Sequence, residues 1–295
     1  MLGRRPRSLV LKARAKVNLG LWVGRKRPDG FHDLVTVIIP IELHDTIEIM
    51  ATRSGVSAVA DDARVPRGPA NLACRAACRF FEETGIAAGC RILIRKQIPV
   101  GAGLGGGSSD AAAALVGLNR LHGRPLSRTR LSKLALELGS DVPAMLLGRP
   151  CAVRGRGERL RPLKLPRLRL LLYFPGYPIH TAWAYAELDR LRSRRRGPRR
   201  SLTEPRLSPK ILAARLRQGE LEKAAPMVRN SFEPVVFCRY PDLARAKRLM
   251  LEGGCCAAAL SGSGSTVYGL MEKGLQDPMA ALRRQGFSCI GTSSI

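Results

Sequence analysis

Histidine and aromatic residues are scarce in this chain of 295 residues, which has four His, two Trp and an aromatic content of 5%. Its eight cysteines form no Cys-x-x-Cys pair and the histidines are widely spaced, so no zinc site is expected. The aromatic residues do not alternate with basic ones, so no stacking platform for single-stranded nucleic acid is visible. Buried free thiols in a reducing compartment are the expected state of the cysteines.

Long apolar runs are also missing. No run reaches the roughly 18 residues that cross a bilayer, and no apolar signal segment follows the basic start at Met1–Arg7. A cytoplasmic location is therefore expected. A hydrophobic content of 45% is enough for a packed core, in one large or two modest domains.

Acidic residues are too few to balance the basic ones. The chain has 23 Asp and Glu against 50 Lys and Arg, a formal net charge of +27. The densest basic cluster, residues 190–200, contains Pro and Gly and is predicted to be an exposed, solvated loop. A basic protein is attracted to nucleic acid at low salt, so a nucleic-acid-binding protein stays open as one alternative.

Strand-like and helix-like segments alternate along the chain, which favours an α+β fold. The predicted strands are 9–23, 34–50, 90–98, 168–174 and 266–271. The predicted helices are 71–84, the segment after residue 107, 127–138, 181–192, 208–217 and 239–252. A domain boundary is placed so that residues 1–163 form one domain and residues 164–295 the other.

A glycine-rich loop before a helix is the most informative motif. Residues 101–107 contain five glycines, and Ser108-Ser109-Asp110 and an alanine run follow. Bare backbone at a helix start is typical of a phosphate site. A P-loop is excluded because Gly107 is not followed by Lys. A dinucleotide fingerprint is formally present, but the acid-ended second strand that it requires does not follow. A flexible linker is disfavoured by the flanking strand and helix.

The loop from Pro99 to Ala112 resembles the phosphate loop of the GHMP kinases, as do Ala13–Leu19 and Leu260–Ser265. Further segments resemble the branch of that family that acts on 4-diphosphocytidyl-2-C-methyl-D-erythritol. They are Arg27–Leu34, Asn71–Ala73, Leu138–Pro143 and Arg154–Glu158. The resemblance implies an N-terminal domain like domain 2 of ribosomal protein S5 and a ferredoxin-like C-terminal domain. It also implies transfer of the ATP γ-phosphoryl group to a substrate hydroxyl in the non-mevalonate isoprenoid pathway.

By this resemblance Asp141 is the general base and Lys16 is its partner. A nearby ammonium would keep the carboxylate ionised and stabilise charge on the transferred group. Two structural alternatives remain at this point. Asp141 could only cap the helix that contains Pro143, and Lys16 could be an exposed lysine on a strand.

The resemblance also implies the residues that bind the nucleotide. They are Asn71, Lys96, Pro99, Val100, Gly101, Ala102, Gly103, Leu104, Gly105, Gly106, Gly107, Ser108 and Ser109. Mg²⁺ is expected with ATP, because it neutralises the β- and γ-phosphate oxygens. Ser108 or Ser109 could contact the Mg²⁺ ion or cap the helix. The sequence contains no cluster of carboxylates that would identify ligands of the ion.

Four residues are expected at the substrate, namely Asn18, Phe31, His32 and Thr181. Phe31 and His32 resemble the pair that reads the cytosine ring, by stacking and by a hydrogen bond to its edge. Phe31 stands where the family usually has Tyr, so stacking is kept and the phenol hydrogen bond is lost. Another GHMP kinase, of the homoserine or mevalonate type, is the nearer alternative. The sequence does not fix the oligomeric state.

Overall fold

The structure is a computed structural model that describes residues 8–194, 208–272 and 278–295. Its strands are β1 Ser8–Lys26, β2 His32–Thr52, β3 Val56–Ala60, β4 Gly89–Arg95, β5 Cys151–Gly155, β6 Arg159–Pro162, β7 Arg169–Tyr173, β8 Cys255–Leu260, β9 Val267–Met271 and β10 Cys289–Ser293. Its helices are α1 Leu72–Thr84, α2 Gly106–Leu121, α3 Arg128–Leu138, α4 Val142–Leu147, α5 Thr181–Arg194, α6 Pro209–Arg217, α7 Leu221–Ala224, α8 Glu233–Arg239, α9 Pro241–Glu252 and α10 Pro278–Arg284.

The described residues divide into two compact units. Unit 1 contains the residues up to Lys16, Leu43–Val100 and Gly105–Gly148. Unit 2 contains Val17–Glu42, Gly101–Leu104 and the residues from Arg149 onward. Strands β1 and β2 each run through both units, since β1 passes the division after Lys16 and β2 passes it after Glu42.

Unit 1 packs the helices α1 to α4 on a sheet. Strand β4 pairs antiparallel with residues 46–52 of β2 and parallel with β3. Its core includes the fully buried Ile49, Phe80 and Leu115. Helix α2 lies so close to the sheet that a Cβ on Gly117 would come within 2.4 Å of Cδ1 of Ile49. A side chain there would separate the helix from the sheet.

Unit 2 contains a four-stranded antiparallel sheet in the order β10-β7-β9-β8. Its core joins this sheet to the helices α5, α8 and α9 through Leu171, Ala184, Val236, Met250 and Val267. Residues 34–38 of β2 pair with β5, and β5 pairs with β6 as an antiparallel hairpin.

The α+β class and the predicted strands and helices are confirmed, with small shifts at their ends. The exposed loop predicted at 190–200 is wrong in its first part, because α5 continues to Arg194. Arg192 on this helix donates hydrogen bonds to the carbonyl oxygens of Gly24 at 2.7 Å and Val23 at 2.6 Å, which holds the last turn in place. The rest of the predicted loop, 195–200, lies outside the described residues.

The cysteines are free thiols. Burial is as expected for five of them, whereas Cys78 and Cys256 are partly buried and Cys238 is exposed. No described helix is long and apolar enough to serve as a membrane span.

Asn71 caps the start of α1 from a buried position. Its Oδ1 accepts from the backbone N–H of Ala73 at 2.9 Å and of Cys74 at 3.3 Å. Its Nδ2 donates to the carbonyl of Pro66 at 3.0 Å. The side chain therefore satisfies two free helix donors and fixes the preceding turn.

We expect Asn71→Ala to lower the free energy of unfolding by about 2 kcal/mol, because it leaves buried backbone groups without partners. Asn71→Asp keeps the accepting oxygen and should lose less. Urea unfolding measures both. The matched control is Ser127→Ala, since Ser127 caps α3 from an exposed position. Equal losses in Asn71→Ala and Ser127→Ala would contradict this account.

Candidate active site

The predicted site residues divide between the two units. Unit 1 holds Lys16, Asn71, Lys96, Pro99, Val100, Gly105, Gly106, Gly107, Ser108, Ser109 and Asp141. Unit 2 holds Asn18, Phe31, His32, Gly101, Ala102, Gly103, Leu104 and Thr181. Each set is described within its own unit.

Lys16 and Asp141 form an ion pair in unit 1. Nζ of Lys16 lies 3.5 Å from Oδ2 of Asp141. The lysine side chain is 4% exposed, whereas the aspartate side chain is 40% exposed. Asp141 precedes α4 but makes no side-chain capping bond to it. Both structural alternatives from the sequence therefore fail, since Lys16 is buried and Asp141 is not acting as a cap.

The start of α2 is packed against two buried lysines. A Cβ on Gly105 would lie 3.1 Å from Cγ and Cε of Lys16, and a Cβ on Gly106 would lie 3.2 Å from Nζ of Lys96. Gly105 also has φ +71, which disfavours other residues. The helix N-terminus carries positive partial charge, and cations are ordinarily unfavourable there. The stem of Lys16 and the ammonium of Lys96 thus lie at the helix start, where unpaired backbone N–H groups favour an anion such as phosphate.

The middle of the glycine loop belongs to unit 2, where the C-terminal motif holds it. Ser261 Oγ donates to the carbonyl of Gly103 at 3.1 Å, and the backbone N–H of Thr266 donates to the carbonyl of Ala102 at 3.1 Å. A Cβ on Gly103 would lie 2.2 Å from the carbonyl oxygen of Ser261. Glycine at 103 thus permits a close backbone approach between two segments that the sequence separates widely.

Lys96 lies between two buried carboxylates. Its Nζ contacts Oδ2 of Asp45 and lies 3.1 Å from Oδ2 of Asp110. Oδ1 of Asp45 accepts from the backbone N–H of Gln97 at 2.7 Å and of Ile98 at 2.8 Å. The cluster therefore joins β2, the chain that leads into the glycine loop, and α2.

The cluster has a marked effect on proton binding. Burial raises the pKa of Asp110 from 3.8 to about 7, although the Lys96 ammonium opposes the rise. Its Oδ1 has no hydrogen-bond partner among the described residues. Burial works against the charge of Lys96, but Asp110 and Asp45 outweigh it and raise the lysine pKa.

The two loop serines differ in their surroundings. Ser109 is buried, and its Oγ donates to the carbonyl of Arg14 at 2.6 Å. Ser108 lies next to it in the first turn of α2 and is partly exposed. Neither serine caps the helix, since Gly105 occupies the cap position. No group of three or more metal-ligating side chains is present in the described part of the chain.

In unit 2, His32 is held by α5. Its Nε2 lies 2.9 Å from Oδ1 of Asp189, and its ring stacks on Tyr185 with centroids 4.8 Å apart. Phe31 is 49% exposed, and the guanidinium carbon of Arg156 lies 5.1 Å from its ring centroid. An exposed aromatic face beside a fixed imidazole is suited to a heteroaromatic ring.

The remaining substrate candidates, Asn18 and Thr181, also lie in unit 2. Nδ2 of Asn18 donates to Oγ1 of Thr36 at 2.9 Å. The hydroxyls of Thr181 and Ser263 lie 2.9 Å apart. Thr181 is thus joined to the same C-terminal motif that holds the glycine loop.

Sequence reasoning assigned no role to Asp45, Asp110, Tyr185 or Asp189. Asp110 carried a signal, because it follows the two loop serines directly. The other three stand in ordinary strand or helix sequence. Only the folded chain shows what they contact.

The chain matches two families, GHMP kinases N terminal domain over residues 71–149 and GHMP kinases C terminal over residues 212–284. It is 40% identical over 260 residues to the 4-diphosphocytidyl-2-C-methyl-D-erythritol kinase of Pelotomaculum thermopropionicum, covering 88% of this chain and 87% of that one. It is 39% identical to the kinase of the same name from Chlorobium limicola, covering 94% of both. The chain belongs to this family of GHMP kinases.

Solved structures agree with that assignment. A crystal structure of a 4-(cytidine 5'-diphospho)-2C-methyl-D-erythritol kinase has a TM-score of 0.79 and 36% identity, covering 97% of this chain and 99% of that one. The homoserine kinase of Cytophaga hutchinsonii has a TM-score of 0.73 at 18% identity, covering 100% of this chain and 96% of that one, which supports the fold alone. The predicted two-domain GHMP kinase fold is confirmed, while the boundary after residue 163 stays a prediction.

We expect the free energy of unfolding of this GHMP kinase to change with pH as Asp110 titrates. A carboxyl whose pKa is raised on folding stabilises the protein below its unfolded pKa, and that contribution is lost as pH rises through the folded pKa. The window here runs from about pH 4 to about pH 7. Relative to Asp110→Asn, the wild type should therefore lose on the order of 2 kcal/mol between pH 5 and pH 8.

Urea unfolding of both proteins at the two pH values measures this difference. Asp62→Asn is the control, because Arg64 lowers the pKa of Asp62 to about 2, so that its titration is complete below pH 5. A difference for Asp110→Asn that is the same at pH 5 and pH 8 would refute the assignment.

Proposed function

We propose that this GHMP kinase transfers the γ-phosphoryl group of ATP to a hydroxyl of 4-diphosphocytidyl-2-C-methyl-D-erythritol. The product is the 2-phosphate, an intermediate of the non-mevalonate isoprenoid pathway. The observation that carries the chemistry is the Lys16–Asp141 pair, with Nζ 3.5 Å from Oδ2. The small-molecule specificity rests on kinship with kinases of that name and on the Phe31–His32 pair.

Asp141 accepts the proton of the substrate hydroxyl in this proposal. Its carboxylate is partly exposed and makes no capping bond, so one face is open to a substrate. The buried Lys16 ammonium pairs with Asp141, and the stem of Lys16 lies against Gly105, beside the predicted phosphate loop. It is therefore placed to stabilise negative charge as the phosphoryl group moves.

The backbone of the glycine loop and the first turn of α2 would hold the ATP phosphates. Its glycines leave the main chain bare, and the N-terminus of the helix adds positive partial charge. Mg²⁺, when bound with ATP, neutralises the β- and γ-phosphate oxygens. Ser108 is the better candidate for contact with the ion, because the Ser109 hydroxyl already donates to Arg14. Asn71 and Lys96 as nucleotide contacts stay predictions.

Phe31 and His32 would bind the cytosine ring. A carboxylate oxygen accepts hydrogen bonds, so the contact with Asp189 favours the His32 tautomer whose Nε2 donates. Its Nδ1 is then an acceptor, which suits an exocyclic amino group and not a carbonyl oxygen. Asp189 is in this proposal a positioning residue that makes the pocket prefer cytosine to uracil.

The proposal also includes a small-molecule substrate, a cytoplasmic location and no nucleic-acid partner.

An assay of phosphorylation across a panel of alcohols distinguishes the sister activities of the GHMP kinases. Turnover of homoserine or mevalonate without turnover of the cytidylyl substrate would contradict the proposed specificity. A nucleic-acid-binding protein would instead bind RNA or DNA tightly at physiological salt and turn over no ATP.

We expect Asp141→Asn to lower kcat by about 10²–10⁴-fold, since it removes the proton acceptor but keeps the shape of the side chain. Binding of ATP should change by less than about threefold, because the loop and Lys16 are retained. Steady-state kinetics and equilibrium titration with ATP measure the two quantities. Asp62→Asn serves as the control and should behave as wild type. Near-normal turnover by Asp141→Asn would remove Asp141 from the role of base.

We expect Asp189→Asn to raise KM for the cytidylyl substrate about tenfold, with kcat changed by less than about threefold. The amide can donate or accept, so it no longer fixes the proton on Nε2 of His32. The KM ratio between uridylyl and cytidylyl substrates should therefore fall. Glu187→Gln on the same helix is the control, since Glu187 pairs only with the exposed Arg190 in the described structure. An unchanged base preference would contradict the positioning role of Asp189.

A further inference from the structure

A cavity of about 340 Å³ lies in unit 2, and none of the residues that line it is assigned a role above. Four of the residues that line it are cationic, namely Arg154, Arg159, Arg161 and Lys210. Its apolar lining includes Leu160, Leu163 and Pro209. A volume of this size is in the range that holds a small ligand.

The hairpin register concentrates the arginines on one face. Arg154 is directly opposite Arg159, and Ala152 is directly opposite Arg161. Opposite residues of an antiparallel pair project to the same side, as do residues two apart on one strand. The small Ala152 therefore leaves space between three arginines. Like charges facing each other across two strands destabilise the hairpin, so an anion between them would relieve that repulsion.

Acidic residues do little to balance this charge. The ion pair of Arg159 with Glu158 is 3.6 Å long, and the arginine side chain is 78% exposed, so it contributes little. Within the described residues, no carboxylate forms an ion pair with Arg154, Arg161 or Lys210. Helix α6 begins at Pro209 with no acidic residue in its first turn. The positive end of its dipole thus adds to the four side-chain charges.

We propose that this cavity is a second binding site, for a small organic diphosphate that carries a short hydrocarbon group. Arginine guanidinium groups bind phosphate oxygens in pairs of hydrogen bonds. An organic diphosphate carries about three negative charges near neutral pH, which suits four cations. Leu163 and Pro209, which line the cavity with the cations, accommodate a hydrocarbon group and disfavour a polar one. The site is independent of the phosphoryl-transfer residues.

Isothermal titration of the full chain with n-pentyl diphosphate tests the proposal, in the presence of saturating non-hydrolysable ATP analogue to fill the donor site. The double variant Arg159→Ser/Arg161→Ser should weaken binding at least about tenfold, or 1.4 kcal/mol. Its kinase activity should stay within about twofold of wild type, since neither arginine has a role in phosphoryl transfer. Arg159→Lys/Arg161→Lys keeps the charge but loses paired hydrogen bonds and should bind with intermediate affinity.

Arg53→Ser/Arg91→Ser is the matched control, because it removes the same charge from exposed positions in unit 1. It should leave binding of n-pentyl diphosphate unchanged. Equal weakening in both double variants would show that only net charge matters, and no weakening in Arg159→Ser/Arg161→Ser would place binding elsewhere. Either result overturns the proposal, as does absence of binding to the wild type.

Two further ligands test the chemical class. Inorganic pyrophosphate should bind more weakly than n-pentyl diphosphate, because it cannot use the apolar lining. Equal affinities would contradict the hydrocarbon part of the proposal. A single-stranded RNA oligonucleotide should not compete at physiological salt. Displacement of n-pentyl diphosphate by the RNA, lost in Arg159→Ser/Arg161→Ser, would make this face a nucleic-acid contact instead.

Discussion

The candidate site of this kinase depends on the approach of two buried lysines to the first residues of one helix. Lys16 lies against Gly105 and Lys96 lies against Gly106, each closer than a side chain at the glycine would comfortably permit. Positive charge at this end of a helix is unfavourable. Asp141 balances the charge of Lys16, and Asp45 and Asp110 balance that of Lys96. The backbone N–H groups at the helix start, which the glycines leave bare, are therefore the feature that attracts phosphate.

The positive charges of the two lysines are balanced in different ways. One ion pair is accessible to a substrate, and the other supports the loop. Lys16 pairs with Asp141, which remains partly exposed and can meet a substrate. Lys96 contacts Asp45 and Asp110, which are both buried and cannot. Burial raises the pKa of Asp110 to about 7, so proton binding by the supporting cluster changes near neutral pH. In the proposed mechanism the first pair takes part in the reaction, and the second fixes the loop that would hold the nucleotide.

Helix α5 has a comparable supporting role in unit 2. Asp189 and Tyr185 hold the imidazole of His32 from two sides, and Arg192 fastens the last turn of the helix to β1. Phe31 needs no such support, because stacking on a ring requires only an exposed aromatic face. The phenyl ring of Phe31 therefore provides the surface that the proposed stacking needs.

Local patterns in the sequence were sufficient for much of the fold. Strand-like runs, helix-like segments and the glycines at 101–107 are local patterns that act within a few residues of themselves. They predicted the long strands, the loop and the helices. The loop predicted at 190–200 overlapped the helix predicted at 181–192, and it was wrong in its first part because that helix continues to Arg194. The sequence did not show that Arg192 on this helix donates to the distant carbonyl groups of Val23 and Gly24.

The sequence by itself determined the family and identified Lys16, Asp141, Phe31 and His32 as candidate site residues. This was possible because the order of motifs along a chain can be read without knowing which residues are in contact. Only the tertiary structure decided that Lys16 is buried, that Asp141 does not cap its helix, and that Asp45, Asp110 and Asp189 support the site. It also gathered Arg154, Arg159, Arg161 and Lys210 around one cavity. Burial and charge pairing depend on which distant segments meet in space, and no local pattern encodes that.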